Sequence, residues 1–246
     1  MLFWTRLSPA EECRSIRVTS DPDYPPLSWR DPQRPDRIIG VAIDLAERAF
    51  SDAGVDVESV YVGPWKRVLA NHEKVDLIAG LYLTHERESF LRYVQPAFMS
   101  DPSVVFVKKG EGFSFTQWND LVKHDGGIRL GDSFGHDFDV FAGKRLMLEE
   151  VRSFGQLAGM TLAGYLDYFI YGLYPGLVMI KQQGLEGKLE YLPLPISQEP
   201  VFMAFSKTSS CQHLAEHLQH KLRQFVAEGL PERLSSEYLQ RWEQQH

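Results

Sequence analysis

The 246-residue sequence lacks any apolar run long enough to cross a bilayer, since none reaches the roughly 18 residues that a membrane-spanning helix needs. It also lacks a cluster of lysine and arginine interleaved with aromatic residues, and its formal net charge is −7. Nucleic acids and anionic membrane surfaces attract basic patches of that kind. We therefore expect neither a nucleic acid nor an anionic membrane surface as the partner.

Several nucleotide-binding and catalytic signatures are missing as well. There is no GxGxxG fingerprint or GxxxxGK[ST] loop for nucleotides, and no HExxH metal helix. His213, His217 and His220 have helical spacing, but on a Gln-rich amphipathic segment we interpret them as a solvated helix face. We expect no cofactor and no metal ion.

Cysteine is scarce, since the sequence contains two, Cys13 and Cys211. In an exported protein such a pair favours a disulfide, and in an intracellular protein two buried thiols, so composition leaves both alternatives open. The residues before Cys13 lack the basic and apolar regions of a signal peptide. A mature exported domain whose leader has been removed is consistent with this beginning.

The most informative stretch runs from Asp76 to Arg87. An apolar run around Gly80 predicts a buried strand, and Thr84 with Glu86 is a helix-start signal. Arg87 is thus expected in the first turn of a helix that follows a strand, where α/β sheets bind ligands. Its guanidinium fork suits a carboxylate. The alternative is a solvated surface arginine.

Strand and helix signals alternate along the chain, which predicts an α/β fold with two sheets and helices between them. Besides the strand before Arg87, strands are predicted at 16–19, 38–41, 55–62, 104–107, 127–130, 146–151, 167–171, 189–192 and 201–205. Helices are predicted at 43–53, 65–71, 137–142, 154–163, 175–183, 211–228 and 231–245.

Three further positions are candidates for ligand binding. Tyr24 precedes two prolines and is predicted on a stiff loop after the first strand. Trp65 opens a helix after a Gly-Pro turn, although composition alone favours core packing for this side chain. The glycine-rich turn at 131–135 precedes a helix, an arrangement that binds anions, but alone it is a weak signal.

The order of these motifs resembles the type 2 periplasmic substrate-binding proteins of solute-binding family 3, the amino-acid-binding components of ABC importers. The resemblance covers nearly the whole chain, from Ile16 to Trp242. The matching pieces are 21–27, 39–45, the Trp65 helix, 75–78, Thr84 with Arg87, 131–133 and the closing segment from Gly229 to Trp242. Each piece is weak, and their shared order makes the resemblance specific.

The resemblance implies a two-lobed α/β fold, with two mixed sheets flanked by helices and joined by two hinge strands. Lobe one would comprise residues 1–105 and 203–246, and lobe two residues 106–202. Because both cysteines would then belong to lobe one, we predict a Cys13–Cys211 disulfide. We also expect a periplasmic monomer, read in its closed state by an ABC transporter permease or a membrane sensor.

The resemblance also assigns site residues. Arg87 corresponds to the carboxylate-binding arginine, and the remaining correspondences are Tyr24 and Trp65 as the aromatic sandwich, Gly80 and Tyr82 as donors, and Ser133 as a carboxylate donor. Tyr171 corresponds to the carboxylate that receives an amino acid's ammonium in the family. Since a tyrosine cannot neutralise a buried cation, we expect a small carboxylate-bearing ligand that need not be an α-amino acid.

Three classes of function follow from these residues. The first is a solute-binding protein without enzymatic activity. The second is an enzyme on the same fold, similar to cyclohexadienyl dehydratases, for which Asp21, Asp132 or His136 would serve as the acid. The third is an interaction module that has kept the fold and lost the ligand. The joint presence of Arg87, Trp65 and Tyr24 favours the first.

Overall fold

A computed structural model describes residues 13–245 of the chain, with side chains described through residue 240. The strands are Ser15–Thr19 (β1), Asp23–Tyr24 (β2), Ser28–Arg30 (β3), Ile38–Ile39 (β4), Asp56–Ser59 (β5), Leu77–Tyr82 (β6), Leu91–Lys108 (β7), Gly126–Arg129 (β8), Leu148–Val151 (β9), Tyr168–Gly172 (β10), Leu189–Tyr191 (β11) and Ser197–Ser206 (β12). The helices are Val41–Ser51 (α1), Trp65–Ala70 (α2), His85–Glu88 (α3), His136–Arg145 (α4), Phe154–Leu162 (α5), Leu173–Gln182 (α6), Ala215–Ala227 (α7) and Leu230–Gln245 (α8).

One large mixed sheet organises the fold, in the order β5-β1-β6-β12-β7-β10-β8-β9, with β11 also paired to β7. The first half is mostly parallel, since β1 pairs in parallel with both β5 and β6. The long strands β7 and β12 pair antiparallel to each other at the centre and connect the two halves. A separate three-stranded sheet, β2-β3-β4, precedes α1.

The buried apolar side chains form separate clusters on the two halves. Two clusters draw their buried members from 13–99 and 201–238, together with Val178 of α6. Two others draw theirs from 104–196. The cores thus meet at β7 and β12, and this mixed α/β architecture agrees with the predicted fold class. The two predicted sheets are, however, one continuous sheet, because β7 and β12 pair with each other at its centre.

The predicted disulfide is present. Cys13 lies just before β1, Cys211 lies in a short 3-10 helix before α7, and their sulfur atoms are bonded with a Cα–Cα distance of 5.6 Å. Both side chains are buried in the cluster that α1 and α7 share. Within residues 13–245, no helix combines the length and apolar character needed to cross a bilayer.

Two local predictions were wrong. The strand predicted at 104–107 is the end of a longer strand that begins at Leu91. This strand includes Pro96, which lies opposite no residue of β12 because the register between the two strands shifts between Val201 and Met203. A proline without a ladder hydrogen bond is tolerated at such an irregularity. Tyr24 is not on a loop but in β2, which pairs antiparallel with β3 across the turn that the two prolines form.

Candidate functional site

A cavity of about 40 Å³ lies where the end of β6, the segment after β1 and the segment after β8 meet. One water needs at least about 10–15 Å³, so the walls are nearly in contact. Six of the seven predicted site residues line it: Tyr24, Trp65, Gly80, Tyr82, Arg87 and Ser133. The other lining residues are Asp21, Leu27, Leu81, Arg129, Asp132, Phe134, Gly172 and Val201.

Arg87 lies where the sequence predicted it, in α3 directly after β6. Thr84 caps the helix, and its hydroxyl oxygen accepts a hydrogen bond from the Arg87 backbone N–H at 3.2 Å. The Arg87 residue is only 5% exposed. Its Nη1 donates to the carbonyl oxygen of Tyr82 at 2.9 Å, and Nη2 donates to that of Gly131 at 3.1 Å. Among the residues whose side chains are described, none forms an ion pair with Arg87.

The Gly131 carbonyl oxygen connects the two walls of the cavity. It accepts hydrogen bonds from Arg87 and from Trp65 Nε1, the latter at 3.0 Å. Gly131 has φ +87°, a conformation that side chains with a Cβ rarely adopt, so glycine here lets the carbonyl face both donors. The Arg87 guanidinium also lies 5.4 Å from the centre of the Trp65 ring, within cation–π range.

A cluster of three side chains backs the cavity. The hydroxyl groups of Tyr24 and Tyr82 both donate to Asp101 Oδ2, at 2.5 and 3.1 Å, while Asp101 Oδ1 is buried and has no hydrogen-bond partner among the described residues. Burial raises the pKa of Asp101 to about 6, an effect that the two tyrosine hydrogen bonds partly offset. Burial and then the Asp101 carboxylate raise the pKa of Tyr24 well above its usual value, so this hydroxyl stays a donor.

Arg129, which sequence reasoning missed, ends β8 and is 3% exposed. Its Nη1 donates to Asp21 Oδ1 at 3.1 Å and its Nη2 to Asp21 Oδ2, while Nη2 also donates to Asp132 Oδ1 at 2.8 Å. Burial alone would lower the pKa of Arg129, but the two carboxylates outweigh it and hold the pKa well above its usual value. The signal was available in principle, because Arg129 lies at the end of a predicted strand, just before the glycine-rich turn.

The glycine-rich turn before α4 is occupied by a carboxylate of its own helix. The Ser133 hydroxyl donates to Asp139 Oδ2, and the Phe134 N–H donates to Asp139 Oδ1 at 2.9 Å. An acceptor at this position satisfies free donors at the helix start. Ser133 therefore lines the cavity with its hydroxyl hydrogen engaged by Asp139.

The structure does not bring Tyr171 into the cavity wall. Tyr171 is fully buried, its hydroxyl donates to the Asp23 carbonyl oxygen at 2.7 Å, and its ring lies 5.5 Å from that of Tyr24. Gly172, one residue later, lines the cavity instead. A Cβ at Gly172 would overlap Tyr24 Oη and lie 2.6 Å from Asp101 Oδ2, so the absence of a side chain makes room for that hydrogen bond.

Comparison with protein families assigns the chain. The profile of the bacterial extracellular solute-binding proteins, family 3, matches residues 16–241. The chain belongs to this family. A comparison with curated protein sequences found no match.

Solved structures share the fold of this family 3 protein over nearly their whole length. A mutant of the arginine-binding protein from T. maritima has a TM-score of 0.75 at 20% identity, over 95% of this chain and 100% of that one. A histidine kinase sensor domain with similarity to periplasmic binding proteins has a TM-score of 0.78 at 19% identity, over 93% and 97%. An amino-acid ABC transporter substrate-binding protein from Streptococcus pneumoniae, bound to L-arginine, has a TM-score of 0.76 at 20% identity, over 96% and 99%.

Proposed function

We propose that this family 3 protein is a periplasmic binder of a small carboxylate-bearing solute, which it holds between two lobes through Arg87. The observation that carries the proposal is the state of Arg87: it is 5% exposed, lines the cavity, and forms no ion pair with the described side chains. A buried guanidinium that no carboxylate contacts directly is costly, and a ligand carboxylate would provide that contact in a geometry that fits a guanidinium.

Two lobes that separate would give a ligand access to Arg87. We place the boundaries near residues 105 and 203, so that β7 and β12 act as the hinge strands. The separate core clusters on either side of these strands support the division. On opening, Arg87 Nη2 would leave the Gly131 carbonyl, and a ligand carboxylate would take that donor before the lobes close again.

An aromatic wall supports a small organic solute rather than an inorganic anion. The rings of Tyr24, Trp65, Tyr82 and Phe134 line the same cavity as Arg87. Flat apolar surfaces of this kind pack against carbon chains and rings. The ligand is thus a carboxylate with an apolar part, either an amino acid or a related organic acid.

We infer that the cleft binds and does not catalyse. Two of the three acids considered for a dehydratase, Asp21 and Asp132, are ion-paired with Arg129. The third, His136, has its ring against that of His85, with the ring centres 4.8 Å apart. None of the three is a free acid directed into the cavity. Absence of turnover of prephenate and arogenate by the purified protein is the expected result.

We propose an ABC importer or a sensor kinase as the reader of the bound state, because an amino-acid ABC transporter substrate-binding protein and a histidine kinase sensor domain share this fold. Native mass spectrometry of the purified protein tests the proposal, since a carboxylate-bearing molecule should co-purify with the wild type and be absent from Arg87→Ala. Arg92→Ala, an exposed arginine outside the cavity, is the matched control. A co-purified molecule that Arg87→Ala retains would contradict the role of Arg87.

A further inference from the structure

The Arg129 guanidinium is bound in the manner of a ligand. Asp21 accepts from it with both carboxylate oxygens, and Asp132 Oδ1 accepts from Nε at 3.2 Å and from Nη2 at 2.8 Å. The forked pairing with Asp21 is the geometry that distinguishes guanidinium recognition from simple charge attraction. The function proposed above makes no use of this group.

Two aromatic rings complete the surroundings of this guanidinium. Its Cζ atom lies 5.9 Å from the centre of the Tyr24 ring and 5.3 Å from that of Tyr171, both within cation–π range. Asp21 and Tyr24 come from the chain that follows β1, more than 100 positions before Arg129. Groups from distant parts of the chain thus converge on the end of one side chain.

We propose that Asp21, Asp132 and the Tyr24 and Tyr171 rings form a guanidinium subsite of the cleft, and that Arg129 is its built-in occupant and sets the specificity of the cleft. This inference rests on the proposed function, because it names the class of carboxylate that the cleft accepts. A ligand with a guanidinium or ammonium on its side chain can enter the subsite only by displacing Arg129.

The space beside Arg129 sets the second part of the specificity. With Arg129 in place, the cavity measures about 40 Å³. Its lining beside Arg87 includes Trp65, Leu81 and Phe134, which carry no formal charge. The cleft therefore selects carboxylates with a short, uncharged remainder, and Arg129 excludes the cationic amino acids.

Removal of the occupant tests the subsite directly. Arg129→Ala leaves Asp21 and Asp132 without their cation, so thermal unfolding should occur at a lower temperature than in the wild type. Millimolar methylguanidinium chloride should raise the unfolding temperature of Arg129→Ala by several degrees and leave the wild type unchanged. Sodium chloride and tetramethylammonium chloride at the same ionic strength are the controls, since neither provides a fork of N–H donors.

A second measurement uses L-arginine as the probe. Calorimetric titration should give a dissociation constant for L-arginine at least about tenfold lower with Arg129→Ala than with the wild type. Adding Asp21→Asn to Arg129→Ala should abolish both this gain and the methylguanidinium effect, because the forked acceptor is lost.

Three results would overturn the subsite. In the first, methylguanidinium stabilises Arg129→Ala no more than sodium chloride does. In the second, Arg129→Ala fails to fold even when methylguanidinium is present. In the third, the wild type binds L-arginine as tightly as Arg129→Ala does. Short carboxylates that bind the wild type while the methylguanidinium effect is absent leave the proposed function standing and remove the subsite. A methylguanidinium effect without carboxylate binding to the wild type supports the subsite and contradicts the proposed function.

Discussion

The Tyr24 hydroxyl donates a hydrogen bond of 2.5 Å to Asp101 Oδ2, which joins the short strand β2 to the long central strand β7. Because burial raises the pKa of this carboxyl group from 3.8 to about 6, the folded protein holds a proton there more tightly than the unfolded chain does. Asp101 therefore contributes stability that is fully present below pH 4 and is lost as the pH rises through about 6.

The first prediction is a difference in pH dependence between the wild type and Asp101→Asn. Between pH 4 and pH 7 the free energy of unfolding of the wild type should fall relative to that of the variant, by roughly 2 kcal/mol for a pKa that rises from 3.8 to about 6. Urea unfolding at a series of pH values measures this, and the other titrating groups cancel in the comparison. Parallel curves would show that Asp101 does not titrate in this range.

A second prediction concerns the close contact at Gly172. Gly172→Ala places a methyl group against the Tyr24 hydroxyl, 2.6 Å from Asp101 Oδ2 and 2.8 Å from Pro175 Cγ. Overpacking of this kind costs about 1–3 kcal/mol of stability. Gly143→Ala, where an added Cβ meets no atom within 4 Å, is the matched control in urea unfolding. Equal stability of the two variants would mean that the space at Gly172 is not needed.

The third prediction is that the Cys13–Cys211 disulfide makes a large contribution to stability. Its sequence separation is 198 residues, and the chain-entropy model assigns about 5 kcal/mol to closing so long a loop. Urea unfolding with and without reductant, and of Cys13→Ser/Cys211→Ser, measures the contribution. Two alkylatable thiols in protein folded under oxidising conditions would be the contrary finding.

The sequence predicted features that depend on neighbouring residues. The Thr84 cap and the first-turn position of Arg87 are both confirmed, because each is a local hydrogen-bonding pattern. The order of motifs also predicted the α/β fold of the family, because the alternation of strands and helices can be followed along the sequence.

Features that depend on contacts between distant residues could not be predicted in the same way. The partner of Arg129, Asp21, lies 108 residues away, so no local pattern shows that the two meet. Gly172 lines the cavity and Tyr171 does not, since successive residues of a strand point to opposite faces and an offset of one residue changes the face. Asp101 precedes a proline, and this hid its place within β7.

A fourth prediction is that ligand binding closes the lobes about β7 and β12. Small-angle scattering should give a smaller radius of gyration when a carboxylate ligand saturates the cleft than when the protein has been stripped of ligand by partial unfolding and dialysis. We expect the ligand-free protein to sample open states in which Arg87 Nη2 has left Gly131. An unchanged scattering profile on saturation would count against a clamp.

The fifth prediction concerns the contribution of Arg87 to ligand affinity. Arg87→Ala should reduce the binding free energy of a carboxylate ligand by on the order of 2–5 kcal/mol, as expected when a buried charge pair loses one partner. Arg92→Ala, at an exposed position, should leave the affinity unchanged. Equal affinities of the wild type and Arg87→Ala would remove Arg87 from the binding site.

Calorimetric titration of the wild type with matched pairs of a short carboxylic acid and its primary amide measures whether Arg87 recognises a ligand carboxylate. The two members of each pair have nearly the same shape and differ in the charge that Arg87 would bind. We expect a saturable heat of binding for at least one acid and none for its amide. Amides that bind as tightly as their acids, or a panel in which no carboxylate binds, would contradict this expectation.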